Sequence, residues 1–268
     1  MILERLAAAS RRRASEMKRD GRAARLHDAA EGFRTDGGRR FRERIAEPGL
    51  SFLCELKKAS PSKGVIAEDF PYLAIAKEYE AAGAAAISCL TEPDHFLGSL
   101  AYLRETAAAV AIPVLRKDFL TDECQIEEAA LAGASAVLLI AAMLTDGELV
   151  RLLRRAEMLG LAALTEVHSE GELHRALAAG ADIIGINHRD LRDFSLDLSL
   201  TERLRPQVPR GVLVVAESGL MSRDNVRRMR EAGADAVLMG EALMRAADRG
   251  ALLRQLIEEN REERRENR

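Results

Sequence analysis

A chain of 268 residues, 47% hydrophobic and 31% charged, has apolar material for a sizeable core and enough charge for a wet surface. Its 40 Lys and Arg against 43 Asp and Glu leave a formal charge of -3, which argues against nucleic acid or an anionic membrane as partner and makes any anion site local. Cys54, Cys89 and Cys124 are odd in number, far apart and without a C-x-x-C pair, so no disulfide framework or cysteine zinc site is expected.

The start, Met1-Ile2-Leu3-Glu4-Arg5, is charged within a few residues, which predicts a cytoplasmic chain without signal peptide or membrane span. Residues 1–48 are rich in Arg, as in Arg11-Arg12-Arg13 and Arg39-Arg40, and carry Ile2, Leu6 and Ala9 at helical spacing. This predicts an added helical segment whose basic side chains form a solvated face.

From there the chain repeats. Ala82-Gly83-Ala84, Ala132-Gly133-Ala134, Ala179-Gly180-Ala181 and Ala232-Gly233-Ala234 each follow a helical pattern and precede an apolar run. The steps lie about 50 residues apart, twice the length of one strand–helix unit, so four of them predict eight units. Each glycine is expected to end a helix in the left-handed conformation, and runs such as 136–140 to be buried parallel strands. The alternate strands are read at 51–57, 112–117, 161–167 and 212–218. Eight similar units favour a closed (βα)8 TIM barrel, with residues 1–268 as a single domain, over an open doubly wound sheet. No G-x-G-x-x-G follows the first strand, so the dinucleotide fingerprint is missing. The C-terminal run 258–268 mixes both charge signs and reads as a solvated, fraying helix end.

In a parallel barrel, chemistry sits at the C-terminal strand ends. Polar residues interrupt the apolar runs there: Glu55 and Lys57, Lys117, Glu166, Asn187, then Glu217 and Ser218. Alternation puts Glu55 and Lys57 on the face of Leu53, pointing inward, where enclosed charges must pair. The loop Lys57-Lys58-Ala59-Ser60-Pro61-Ser62-Lys63-Gly64 reads as a turn that could seat an anion or cover the mouth. Ser218-Gly219, and Gly240 before the helical stretch 242–246, stand where barrels commonly bind phosphate through backbone N–H groups, so a phosphorylated substrate is expected. His95, His168, His174 and His188 show no metal-ligand spacing and are read as ordinary polar residues, and no metal is expected. Cys89 and Cys124 are read as buried or inert thiols.

These residues resemble the indole-3-glycerol-phosphate synthase family between about Phe33 and Ala246. The landmarks, in the family's order, are 55–64, Leu90-Thr91-Glu92, Phe96-Leu97-Gly98-Ser99-Leu100, Leu115-Arg116-Lys117-Asp118-Phe119, Glu166-Val167-His168, 185–191 and Ala216-Glu217-Ser218-Gly219. The N-terminal segment resembles the family's extra helix over the barrel mouth.

The resemblance implies a carboxy-lyase of tryptophan biosynthesis that needs no cofactor. It would turn 1-(o-carboxyphenylamino)-1-deoxyribulose 5-phosphate into indole-3-glycerol phosphate, carbon dioxide and water, acting as a monomer or weak homodimer. Lys117 matches the general acid and Lys57 a second lysine that binds the anionic substrate. Glu55 and Glu166 match carboxylates that position the lysines and exchange protons, the base among them unassigned. Asn187 and Ser218 match supporting catalytic groups. Ser60, Phe119, Arg189 and Glu217 match substrate-binding positions, Arg189 near the aromatic end. Ser218, Gly219, Gly240 and Glu241 would contact the phosphate. The chain departs from the family pattern at Glu123-Cys124 and at His188. Among other readings, the two-lysine pattern argues against phosphoribosylanthranilate isomerase, and the intact acid–base set against a barrel that only binds.

Overall fold

A computed structural model describes residues 2–61, 63–190 and 194–266, with side chains as far as Asn260. Ser62 of the first loop, Leu191 of the 185–191 landmark and the last residues of the C-terminal run fall outside them.

Three helices come first, α1 (Ile2–Arg19), α2 (Arg22–Ala30) and α3 (Gly37–Ile45). Then follow β1 (Ser51–Leu56), the short hairpin strands β2 (Ala59–Ser60) and β3 (Gly64–Val65), α4 (Tyr72–Ala82), β4 (Ala86–Leu90) and α5 (Leu100–Ala109). The chain continues through β5 (Val114–Lys117), α6 (Glu123–Leu131), β6 (Ala136–Ile140), α7 (Asp146–Met158), β7 (Ala162–Val167), α8 (Glu170–Ala178) and β8 (Ile183–Asn187). It ends with α9 (Leu200–Leu204), β9 (Leu213–Glu217), α10 (Arg223–Glu231), β10 (Ala236–Met239), α11 (Glu241–Arg245) and α12 (Arg249–Glu266).

The strands β1 and β4 to β10 close into an eight-stranded parallel barrel, with β1 paired to both β4 and β10. This is the (βα)8 TIM barrel the glycine steps predict. Gly83, Gly133, Gly180 and Gly233 all take positive φ, from 86° to 100°. The opposite helix ends are fixed by polar caps: Asp122 and Thr145 build capping boxes with Gln125 and Glu148, and Ser99, Ser169 and Ser222 each accept a backbone N–H.

Observed strands are shorter than the predicted ones at their edges. β5 begins at Val114 because Pro113 has no N–H to give a neighbour, and Lys57 and Ser218 stand just past β1 and β9. The loop after β1, read as a turn, pairs Ala59 with Val65 and Ser60 with Gly64.

The N-terminal segment wraps the barrel from one end to the other. Ile2 and Leu6 of α1 border the cavity at the C-terminal strand ends. Helix α3 lies across the N-terminal ends, where Gly38 N–H donates to Gly160 O at 2.8 Å and a Cβ on Gly38 would stand 2.4 Å from Ala162 N. Phe41 and Ile45 of α3 are fully buried. The arginines read as a solvated face only partly fit that reading. Arg12 and Arg39 are exposed. Arg40, Arg42 and Arg44 instead donate to Ala111 O, to Asp182 O and Gly211 O, and to Ala84 O, capping carbonyls just ahead of the strands.

Two truncations should therefore behave differently. Removing residues before 36 is expected to leave a barrel that unfolds cooperatively by circular dichroism. Removing residues through 48 also strips Phe41, whose burial alone is worth about 3–5 kcal/mol, and should abolish or strongly weaken that transition. Equal melting of the two forms would show that α3 adds nothing to the core.

Candidate active site

Register and a period of two decide which side chains enter the barrel. Glu55 pairs with Ser88, Leu90 with Lys117, Ile140 with Glu166, Glu166 with Gly185, and Asn187 with Glu217. One inward ring thus carries three carboxylates and a lysine at the ends of the alternate strands β1, β5, β7 and β9. They line a cavity of about 280 Å³.

All the positions predicted from sequence stand around this one cavity: Glu55, Lys57, Ser60, Lys117, Phe119, Glu166, Asn187, Arg189, Glu217, Ser218, Gly219, Gly240 and Glu241. Its apolar wall, including Leu138, Ile140 and Leu238, was not singled out in advance. These residues follow the same alternation as the charged ones. Phe96 and Phe119 also face the cavity, with ring centroids 5.9 Å apart.

Each ion pair has its carboxylate buried. Lys57 Nζ stands 2.5 Å from Glu55 Oε1, and Lys117 Nζ stands 3.4 Å from Glu217 Oε2 and 3.6 Å from Glu166 Oε2. The side chains of Glu55, Glu166 and Glu217 are 2%, 2% and 1% exposed, so these charges act through little screening. Burial alone would lower the Lys117 pKa, but the carboxylates of Glu217, Glu166 and Glu55 outweigh it and hold the ammonium above its ordinary value. Burial would raise Glu55, but Lys57 and Lys117 outweigh it and hold it below the usual range. For Glu217 burial wins: with Glu166 and Glu55 adding repulsion against the pull of Lys117, its pKa rises to about 8.

Two glycines make room for these carboxylates. A Cβ on Gly185 would stand 2.2 Å from Glu217 Oε1, and one on Gly240 would stand 2.6 Å from Glu55 Oε1. Either contact is too close for a real methyl group, so each carboxylate lies over the backbone of the adjacent strand. Sequence pattern points to Gly185 only through its phase, two residues before Asn187.

The far rim is built by an unusual turn. Ser218 and Gly219 take successive left-handed φ values of 69° and 74°. For serine this conformation costs on the order of 1 kcal/mol. His188, read from sequence as an ordinary polar residue, supports it: Nδ1 donates to Ser218 O at 2.9 Å, and Nε2 lies 2.7 Å from Thr201 Oγ1. Burial lowers the His188 pKa, which favours the neutral ring this arrangement needs. Asn187 Oδ1 accepts from Arg189 N at 3.0 Å, and Arg189 donates to Phe194 O.

His168 is the residue that sequence reasoning passed over. It lies two residues beyond Glu166, and its Nε2 stands 3.3 Å from Glu166 Oε1. The two-residue spacing in Glu166-Val167-His168 is the one signal in the sequence, and it is weak because His168 lies past the last residue of β7. His95 and His174 line no part of the cavity. Among the described residues no group of three or more His, Cys, Asp or Glu could hold a metal ion. The three cysteines are free and buried, and burial pushes their thiols up, Cys89 and Cys124 to about 12.

A family model described as indole-3-glycerol phosphate synthase matches residues 3–256. The chain belongs to the indole-3-glycerol phosphate synthase family. The synthase of Ruminiclostridium cellulolyticum is 46% identical over 256 residues, covering 96% of this chain and 98% of that one. That of Campylobacter jejuni (strain RM1221) is 52% identical over 211 residues, covering 79% and 82%. Two solved structures share the fold at low identity. KGPDC from Streptococcus mutans has a TM-score of 0.60 at 14% identity, over 80% of this chain and 98% of that one. Thiamine phosphate pyrophosphorylase from Pyrococcus furiosus has 0.58 at 20%, over 81% and 98%.

The glycine seat yields one test. Gly185→Ala should displace the Glu217 carboxylate and lower turnover on the order of 10²-fold, while adding little in a Glu217→Ala background. Additive losses in a steady-state double-mutant cycle would refute the seat.

A second test uses stability. Because the folded pKa of Glu217 is raised, its proton is held more tightly in the folded chain, and stability falls as pH rises from the ordinary value of 4.5 through about 8. Glu217→Gln fixes the neutral form. Its melting temperature should match the parent in acid and exceed it increasingly up to about pH 8, by roughly 2–4 °C per kcal/mol. A gap that is constant with pH would contradict the raised pKa.

Proposed function

We propose that this cavity carries out the family reaction on 1-(o-carboxyphenylamino)-1-deoxyribulose 5-phosphate, closing the indole ring with loss of carbon dioxide and water, in tryptophan biosynthesis. The observation that carries the reading is Lys117, an ammonium held charged between Glu166 and Glu217 inside a cavity with an aromatic wall.

Lys117 protonates the substrate ketone as the aromatic carbon attacks it. The ring carboxylate then leaves as carbon dioxide, and its bonding pair restores aromaticity. Loss of the new hydroxyl as water needs a second proton and a base for the hydrogen that leaves. Glu55 and Glu166 are the carboxylates that hold the lysines and exchange protons, and Lys57 binds the anionic substrate and assists dehydration. Asn187 and Ser218 support the reacting centre, with Glu217 balancing Lys117. Arg189 and Phe119 receive the aromatic end. Ser218, Gly219, Gly240 and Glu241 receive the phosphate, the last two through backbone N–H groups, and Ser60 closes over it from the first loop.

We read the protein as a cytoplasmic monomer or weak homodimer that acts on this phosphorylated small molecule, not on nucleic acid or a membrane. The near-balanced charge and the buried free cysteines support this reading. Among the described residues no helix is long and apolar enough to cross a membrane. The extension at 1–48 is proposed as part of the same domain, with α1 as the cover.

Incubation with the substrate should give indole absorption and fluorescence, and absence of product would overturn the assignment. Lys117→Met keeps the stem but deletes the proton, so single-turnover chemistry should fall on the order of 10²- to 10⁴-fold, with affinity for a reduced, unreactive analogue nearly kept. Lys57→Met should weaken that affinity as well. If Lys117→Met turns over normally once saturated, the general acid is another group.

A further inference from the structure

The reaction has a proton balance that the cavity must meet. The substrate enters with a carboxylate that leaves as neutral carbon dioxide. Ring closure takes up one proton at the carbonyl oxygen, departure of the hydroxyl takes up another, and aromatisation returns one. Each turnover therefore consumes one proton from solvent. The acid and its partners are enclosed: Glu166 and Glu217 are 2% and 1% exposed, and Lys117 meets solvent through the cavity that substrate would fill.

Behind Glu166 lies a second path. The Glu166 carboxylate stands between a lysine and a histidine, with Oε2 3.6 Å from Lys117 Nζ and Oε1 3.3 Å from His168 Nε2. That Nε2 is buried and makes no hydrogen bond. On the other side of the ring, Nδ1 lies 3.4 Å from Glu172 Oε2. The same Glu172 oxygen accepts the His168 backbone N–H at 2.8 Å, and the Ser169 hydroxyl accepts the Glu172 N–H, so the start of α8 fixes the carboxylate that orients the ring. Neither His168 nor Glu172 lines the cavity, yet their side chains are 12% and 20% exposed. Both thus keep some solvent exposure without belonging to the cavity lining.

We propose that His168, oriented by Glu172, is the route by which the proton consumed in each turnover reaches the Glu166–Lys117 pair from solvent. The inference rests on the reaction assigned above. In the transfer, the Nε2–H bond of the imidazolium breaks as an O–H bond forms on Glu166, which passes the proton to the neutral Lys117 amine. The ring is left neutral, its Nδ1–H on Glu172, and regains a proton from water or a buffer acid. The charged groups around His168 are Glu166 on its own strand, Glu172 on α8 and Glu217 on β9, all acidic. Burial alone would lower the His168 pKa, but these three outweigh it and raise it above the ordinary imidazole value. His168 touches no substrate on this view. It is a positioning and proton-supplying residue.

The test compares wild type, His168→Asn and Glu172→Gln in steady state, over a range of imidazole concentrations and pH. His168→Asn should lose turnover on the order of 10-fold or more with KM little changed, and imidazole should restore it in a concentration-dependent way while leaving wild type unaffected. Glu172→Gln removes a group that raises the ring's pKa, so the alkaline fall in turnover should move to lower pH. This variant carries the test should His168→Asn not fold. An unchanged turnover, a loss insensitive to imidazole, or an alkaline limb that Glu172→Gln leaves in place would overturn the proposal. Wild type that forms no indole product would instead overturn the assigned reaction.

Discussion

Among the described residues, the ammonium groups of Lys57 and Lys117 are paired with three almost fully buried carboxylates at the mouth of this barrel. Lys57 and Lys117 cannot neutralise Glu55, Glu166 and Glu217 together, so one carboxylate is in excess where water cannot screen it. The excess falls on Glu217, whose pKa is raised, while Glu55, next to Lys57, is held low. The same surplus of negative charge keeps Lys117 charged despite burial and draws a proton onto His168. The proton affinities of Lys117, Glu217 and His168 are thus set by one local imbalance.

Such an imbalance holds only if the groups cannot relax apart, and the barrel prevents this. Closure fixes the register of every strand, and the register fixes which carboxylate faces which lysine. Gly185 and Gly240 let Glu217 and Glu55 lie against the neighbouring strand. The N-terminal helices tie in at the same level. Arg13 of α1 reaches Asp118 Oδ1 at 3.1 Å, and Asp118 also accepts from Thr91 Oγ1 at 2.7 Å and from Phe119 N at 2.8 Å. Asp118 follows Lys117 directly. Helix α1 and the strand end that carries Lys117 are therefore anchored on one buried carboxylate.

The sequence carries this architecture where a rule with a fixed period applies. Glycine after each second helix, apolar runs between, and polar residues breaking those runs at one end are legible without coordinates, and they lead to the barrel and to Glu55, Lys57, Lys117, Glu166, Asn187, Glu217 and Ser218, whereas Phe119, Arg189 and Glu241 enter only through the family resemblance. Three features stay hidden, each for its own reason. Gly185 acts by lacking a side chain, and no pattern of side chains reports that. His168 stands beyond the last residue of its strand, where alternation is no longer guaranteed, so its alignment with Glu166 depends on how the chain leaves the barrel. Helix α3 has the Arg-rich composition of a solvated surface, yet the guanidinium groups of Arg40, Arg42 and Arg44 cap barrel carbonyls while Phe41 and Ile45 bury beneath them.

The departures from the family pattern fall where the structure can absorb them. Cys124 packs with Ala14 and Met17 of α1, a small apolar contact between the cover and α6, and the capping box of Asp122 and Gln125 holds the helix start independently of it. His188 stands closer to the chemistry. Its ring spans the gap between the Ser218 carbonyl and Thr201 and so fixes a serine in a left-handed turn at the rim. A shorter asparagine or serine would need a different partner for that carbonyl. The turn that points Ser218 and Gly219 into the cavity is thus supported in this chain by an imidazole that burial keeps neutral, so the support survives across the pH range in which His168, with three carboxylates around it, is drawn toward the charged form.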